Sequence, residues 1–203
     1  MELFELPIGW EWRALGQIAS VRLGKTPRRE DYANAGIKVI KFRDVASTGV
    51  NWFNEEDGYV AFDSNSSRDL RYLEPGDVLL TASAHSADSI GKKTCLVAAL
   101  PSTVEKAAFV GELLCARADR SIVIPQWILS WFLSRTGYEA VAERVEGVHL
   151  TQGRARDIDI PIPPMDVQER VASRIDAQIR RVDAIRKSQN DFETEIRGIL
   201  SGY

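Results

Sequence analysis

The chain has 203 residues, a formal net charge of −3 and 27% charged side chains, which suits one domain of ordinary size with an appended element. The acidic balance argues against a generic nucleic-acid binder, while leaving room for a domain whose cations gather on one face. No apolar run approaches membrane-spanning length and Met1-Glu2-Leu3-Phe4-Glu5 is acidic, unlike a signal peptide. Cys95 and Cys115 lack metal-ligand spacing, so they read as reduced core thiols of a cytoplasmic protein.

Leu6-Pro7-Ile8-Gly9-Trp10 is an extended entry closed by a Pro/Gly turn. The spacing of Leu15, Ile18 and Ala19 then predicts a short helix over Glu11 to Val21, with Trp10 and Trp12 packing at the core or its edge. Arg22 to Arg29 is a loop with four cations, because Gly24 and Pro27 forbid a continuing helix. It reads either as a solvated loop or as a contact to phosphates through Lys25, Arg28 and Arg29. Gly36 to Val45 alternates apolar and basic residues, which predicts a strand with a cationic face made by Lys38, Lys41 and Arg43. Ser47 to Ser67 is a polar insert whose aromatics, Trp52, Phe53, Tyr59 and Phe62, form a minor core or a recognition surface. Core is favoured for most of them.

Leu73-Glu74-Pro75-Gly76-Asp77 is a turn feeding a buried strand to Thr81. A loop of small polar residues, Ala82 to Lys92, leads to a return strand over Lys93 to Ala99. His85 in that loop has no paired nucleophile or metal partner nearby. It reads as a hydrogen-bond donor or a structural residue rather than a catalyst. Val110 to Ala116 is a further strand. Pro125 stands at a first helical position before Gln126 to Leu133. A second short helix covers Gly137 to Arg144, Gly147 to Gly153 is a loop, and Arg154 to Ile162 leads through a last strand.

From Pro164 to Leu200 the pattern is helical and unbroken by proline. Val171, Ile175, Gln178, Val182, Ile185, Gln189, Phe192, Ile196 and Ile199 recur at alternating steps of three and four, a heptad seam with two polar members. Such a helix is about 55 Å long at 1.5 Å per residue. Its narrow apolar stripe needs a second helix, from another copy or a partner, or else packs partly on its own domain. Residues 164–203 carry seven basic and seven acidic side chains, so the body, 1–163, holds the whole formal charge. The catalytic motifs are missing: no phosphate-binding Gly/Lys loop, no dinucleotide glycine pattern, no HExxH and no CxxC.

Several of these segments together resemble the specificity (S) subunits of type I restriction–modification enzymes. The opening Leu6-Pro7-Ile8-Gly9-Trp10, Leu15-Gly16-Gln17-Ile18-Ala19 and Gly24-Lys25-Thr26-Pro27 resemble the start of a target recognition domain. Gly36 to Val45 is similar to that family's "GIPWI…DV" strand. Leu73 to Thr81 is similar to its "L-x-PGD-LL" strand, and Ser89-Ile90-Gly91-Lys92 to the turn after it. Ile160 to Arg170 is similar to the "IP-x-PP-x-x-EQ-x-R" junction. The chain departs in carrying one set of elements where two are usual, which suggests a half or truncated subunit. It departs also at Asp166-Val167-Gln168-Glu169, where Gln and Glu appear reversed, and at Ala82-Ser83-Ala84-His85, where a basic residue is usual.

The resemblance implies an α+β fold: a mixed recognition domain over 1–163, then a long helix over 164–203 in an antiparallel coiled coil with a second copy or half. It implies a non-catalytic subunit that reads part of a split double-stranded DNA target and docks methyltransferase (M) subunits. Those bring S-adenosylmethionine, so no cofactor is expected in this chain, and restriction (R) subunits join later. The DNA contacts are assigned to Lys25, Arg28, Arg29, Lys38, Lys41, Arg43, His85, Lys92 and Lys93. The nine seam residues are assigned to a homodimer that reads an inverted repeat. The rival reading is a coiled-coil adaptor that holds M subunits without reading DNA.

Overall fold

A computed structural model of the chain describes residues 5–54 and 58–201. At positions 179, 183, 186, 187, 190, 193, 194 and 198–201 it describes the helix backbone alone. In chain order come β1 (Glu11–Ala14), α1 (Leu15–Ile18), β2 (Ala19–Leu23), β3 (Tyr32–Ala33), β4 (Ile37–Ile40), β5 (Val45–Ala46), β6 (Gly49–Val50), β7 (Tyr59–Val60) and β8 (Asp77–Thr81). They are followed by β9 (Thr94–Leu96), β10 (Ala107–Phe109), β11 (Leu113–Ala118), α2 (Pro125–Leu133), α3 (Arg135–Ala142), α4 (Gln152–Arg156), β12 (Asp159–Ile162) and α5 (Met165–Ser201).

The centre is an antiparallel four-stranded sheet in the order β2-β11-β8-β9. Strand residues alternate sides. Val78, Leu80, Leu114 and Ala116 therefore face one apolar cluster with α1, α2 and α3, through Leu15, Ile18, Trp127, Ile128 and Val141. Leu79, Leu113, Cys95 and Cys115 face another, shared with Ile37, Val39, Val60 and Phe109 of the second sheet, β10-β4-β7-β3. All five residues of β8 are buried, as a strand covered on both faces must be. β5 and β6 form a small hairpin beside β9.

The helix expected over Glu11 to Val21 is a single helical turn between two strands. β1 pairs antiparallel with β12, Trp12 opposite Pro161, while β2 pairs with β11. Leu15, Ile18 and Ala19 are buried as expected. Their spacing of three and four arises from a one-turn helix rather than a long one. Trp10 and Trp12 pack edge-on against Trp127 and Trp131, with centroids 5.6 and 5.9 Å apart. Helix α2 begins with Pro125 at its first turn, as expected, and buries Trp127, Ile128, Leu129, Trp131 and Phe132. α4 occupies part of the segment assigned to the loop and last strand, and β10 was not anticipated.

The PGD turn is locked by its own aspartate. Gly76 has φ +99°, a conformation glycine adopts freely. Asp77 is fully buried. Arg117 on β11 donates to it through Nε (2.7 Å) and Nη2 (2.9 Å), and Nη2 also reaches the Tyr72 carbonyl (3.1 Å). Glu74 completes the network through Arg117 Nη1.

The root of α5 is fixed to the body by Gln168, 1% exposed. Its Oε1 accepts from the Ile124 N–H (3.0 Å), the residue that caps α2. Its Nε2 donates to the carbonyls of Ile122 and Pro163 (both 3.0 Å). Trp127 Nε1 adds a bond to the Pro161 carbonyl (2.8 Å). Ala172 is buried and Val171 is half-buried against the body's core. Further on, Gln178 and Gln189 are exposed, as are Val182, Ile185, Phe192 and Ile196, at 44%, 60%, 62% and 40%. Ile199 lies outside the described side chains. Among the described residues, no helix is long and apolar enough to cross a membrane.

Candidate nucleic-acid interface

The loop after β2 is seated by its backbone. Gly24 N donates to Leu113 O (3.0 Å) and Lys25 N to Phe109 O (3.0 Å). A Cβ on Gly24 would collide with the carbonyl oxygens of Phe109 and Val110, so this close approach requires glycine. Gly111 N donates to Thr26 Oγ1 (3.1 Å), and Arg28 N to Ser66 Oγ (3.0 Å). The backbone is therefore held while the side chains of Lys25, Arg28 and Arg29 stay exposed. Lys25, Thr26 and Arg28 line a polar cavity of about 130 Å³ with Asn65, Ser66 and Asp69. Two cations beside hydroxyl and amide donors suit an anionic oxygen such as a DNA phosphate.

The loop after β8 is held as firmly. Ala82 N and Ser83 N donate to Glu112 O (2.8 and 3.2 Å), and Leu150 N donates to Ala82 O (2.8 Å). Ser83 Oγ and His149 Nδ1 share a hydrogen bond of 2.9 Å. Between this loop and the turn at 110–112 lies a cavity of about 300 Å³, lined by Phe42, Ser83, Ala84, His85, Ser89 and Glu112. Lys93 packs on one of the lining residues: the Nζ donates to Phe42 O (3.3 Å) and lies 4.3 Å over the Phe42 ring. Because the 110–112 turn binds Thr26 on one side and the Ser83 segment on the other, both cavities belong to one edge of the body. That edge gathers Lys25, Arg28, His85 and Lys93.

The rest of the predicted cationic set is placed differently. Lys38 is 2% exposed. β4 runs between β10 and β7 with all four residues buried, so Lys38 lays its stem inside and its amine 5.0 Å over the Tyr59 ring. The strand ends at Ile40. Lys41 N then donates to the Asp44 carboxylate (2.8 Å) at the start of a 3₁₀ turn, Phe42–Asp44. The Lys41 amine lies 5.6 Å over Tyr32, and Arg43 is half-buried. The expected cationic strand face is therefore replaced by cations spent on aromatic rings, while Lys92 stays exposed. In the insert, Trp52 and Tyr59 are partly buried as expected, but Phe53 and Phe62 are exposed at 69% and 46%.

Sequence reasoning passed over Glu112 and His149 in this edge, and Lys106, whose amine sits between Phe62 and Tyr72. His149 offered a signal, being the second of only two histidines. Glu112 offered none beyond its place in a Gly-Glu turn.

No protein-family model matches the chain, and a search of curated proteins gives no match. Solved structures do match. One is a chain from a study of complex assembly and conformational transition in the type I R-M system, with TM-score 0.68 and 21% identity over 97% of this chain. Another is the HsdS subunit from Thermoanaerobacter tengcongensis, with TM-score 0.65 and 20% identity over 92% of this chain. The chain has the HsdS fold. It spans less than half the length of those two chains, 45% and 41%. The HsdS likeness takes in the body and α5 together, so the long helix belongs to the fold as much as the sheets do.

Proposed function

We propose that the chain is a DNA-recognition subunit of a type I restriction–modification complex. It reads one part of a split double-stranded target with the edge that carries Lys25, Arg28, His85 and Lys93. It performs no chemistry itself. M subunits that dock on it bring S-adenosylmethionine and adenine methylation, R subunits join afterwards, and a second copy pairs with it through α5. The observation that carries the reading is the HsdS fold over body and helix together, with a backbone-seated cationic loop on the body. A loop fixed by its own main chain keeps its side chains free for phosphate and base edges.

The adaptor reading draws support from Lys38 and Lys41, whose amines lie over Tyr59 and Tyr32 within the body. One experiment separates the two. The chain is combined with M subunits and S-adenosylmethionine on genomic DNA, and modified adenines are mapped. A defined methylated motif supports recognition. Methylation that never occurs, or that carries no motif, leaves the adaptor.

A further inference from the structure

The exposed seam of α5 holds information about how a second copy fits. At 100° per residue, the buried Gln168 and Ala172 mark a face roughly 90° round the helix from the line through Gln178, Val182, Ile185 and Gln189. The body therefore covers one face and leaves the seam open. Its first two members, Val171 and Ile175, are half-buried at the edge of the body, and the members described beyond them are exposed.

We infer that α5 pairs antiparallel with α5 of a second copy in one register, Gln178 facing the partner's Gln189, with the two-fold axis between Asp183 and Ala184. This deepens the self-pairing part of the proposed function. Reversing one helix sets each core position of one kind against the other kind. Gln178 and Gln189 are of opposite kinds, and they are the two polar members. In the register given, both polar layers match, Val182 meets the partner's Ile185, Ile175 meets the partner's Phe192 and Val171 meets the partner's Ile196. Sliding by one heptad one way sets Gln178 against the partner's Ile196 and Gln189 against the partner's Ile185. Sliding the other way sets them against the partner's Val182 and Val171. Each slide buries amides against apolar side chains, a cost of about 1–3 kcal/mol per unpaired group.

Charge distinguishes antiparallel from parallel pairing, which would also stack glutamine on glutamine. Of the charges that flank the seam, Arg174 lies near the root and Glu195 near the end. In the register given, Arg174 lies within two residues of level with the partner's Glu195, on the same side of the seam, and the two charges attract. Parallel pairing sets Arg174 level with the partner's own Arg174 and Glu195 level with the partner's own Glu195.

The test is sedimentation equilibrium of the whole chain and of Gln178→Leu, Gln189→Leu and the double variant. Both glutamines are exposed in the protomer, so the body's fold is unaffected, which circular dichroism melts verify. In the inferred register each single variant faces leucine with glutamine in two layers per dimer and weakens association about tenfold. The double variant makes both layers apolar and associates more tightly than the parent. In a slid or parallel register each single variant adds apolar contact and tightens the dimer. A single variant that tightens association or leaves it unchanged overturns the register. A parent chain that stays monomeric overturns the pairing itself. A defined methylation motif obtained beside either result leaves the recognition role standing.

Discussion

Asp77 sits with no solvent exposure at the head of the central strand, and both sides of its carboxylate are met by one arginine. In the resembling family motif it is the D of PGD, and here its work is structural. Removing Arg117 leaves a buried carboxylate without its counter-charge, and breaking such a pair from one side costs about 3–5 kcal/mol. Arg117→Ala is expected to lower the urea midpoint accordingly with an unchanged slope. Stability within 1 kcal/mol of the parent, roughly the surface-pair value, would mean the network contributes little. The two thiols make a second check. Burial pushes Cys95 up to about 12. Burial, with the nearby Asp77 charge as the next cause, pushes Cys115 higher still. A raised pKa keeps the thiol protonated at pH 8, and the thiolate is the reacting species. The folded chain is expected to show no fast reaction with a thiol reagent at pH 8, and both cysteines to react in denaturant.

At the scale of elements, the polar link between α5 and the body is concentrated in one side chain, beside the apolar packing of Val171 and Ala172. Counted from Pro163-Pro164, Gln168 stands where the family pattern has its Gln, so Val167 is the departure and the apparent reversal is an effect of Glu169 following. Gln168→Leu keeps the volume but strands the Ile124 N–H and the Ile122 and Pro163 carbonyls. Its expected cost is about 2–4 kcal/mol, with faster amide exchange over 165–172 than at β8. Equal protection in parent and variant would show that apolar packing alone holds the root. Elements whose cause is local could be read from the chain. Pro125 at a first helical turn and the Pro-Gly turn before β8 each announced the right structure. Elements whose cause is distant could not. β1 is extended because Trp12 lies opposite Pro161, and β10 is three residues placed by parallel pairing with β4. Nothing near either segment signals its partner. The same distinction governs the candidate site. The exposed loop placement of Lys25 and Arg28 was legible because Gly24 and Pro27 force a loop. The fate of Lys38 was not, since alternation cannot say that a strand will be covered on both faces.

For the whole molecule, charge and geometry make separate demands. Lys25→Ala and Arg28→Ala remove exposed cations, so each is expected to weaken the assembled complex on any sequence and lower the salt slope by about one. Lys38→Ala leaves that slope alone while lowering stability, since its amine rests on Tyr59. A slope unchanged by all three would take this loop out of the footprint. The helix sets a distance. In the register inferred above, Gln168 of one copy lies level with position 199 of the other. The two roots are therefore 31 residues apart along the axis, about 46 Å at 1.5 Å per residue. One turn of DNA measures about 34–36 Å, so two bodies held at those roots cannot read adjoining half-sites on one face. The methylated motif is then expected to be an inverted repeat whose half-site centres stand more than one turn apart, with unread bases between them. Mapping modified adenines on both strands measures that spacing directly. A symmetric motif with no gap would require the bodies to lean together across the helices, which a root pinned by Gln168 and Trp127 opposes. An asymmetric motif would require the two readers to be different chains.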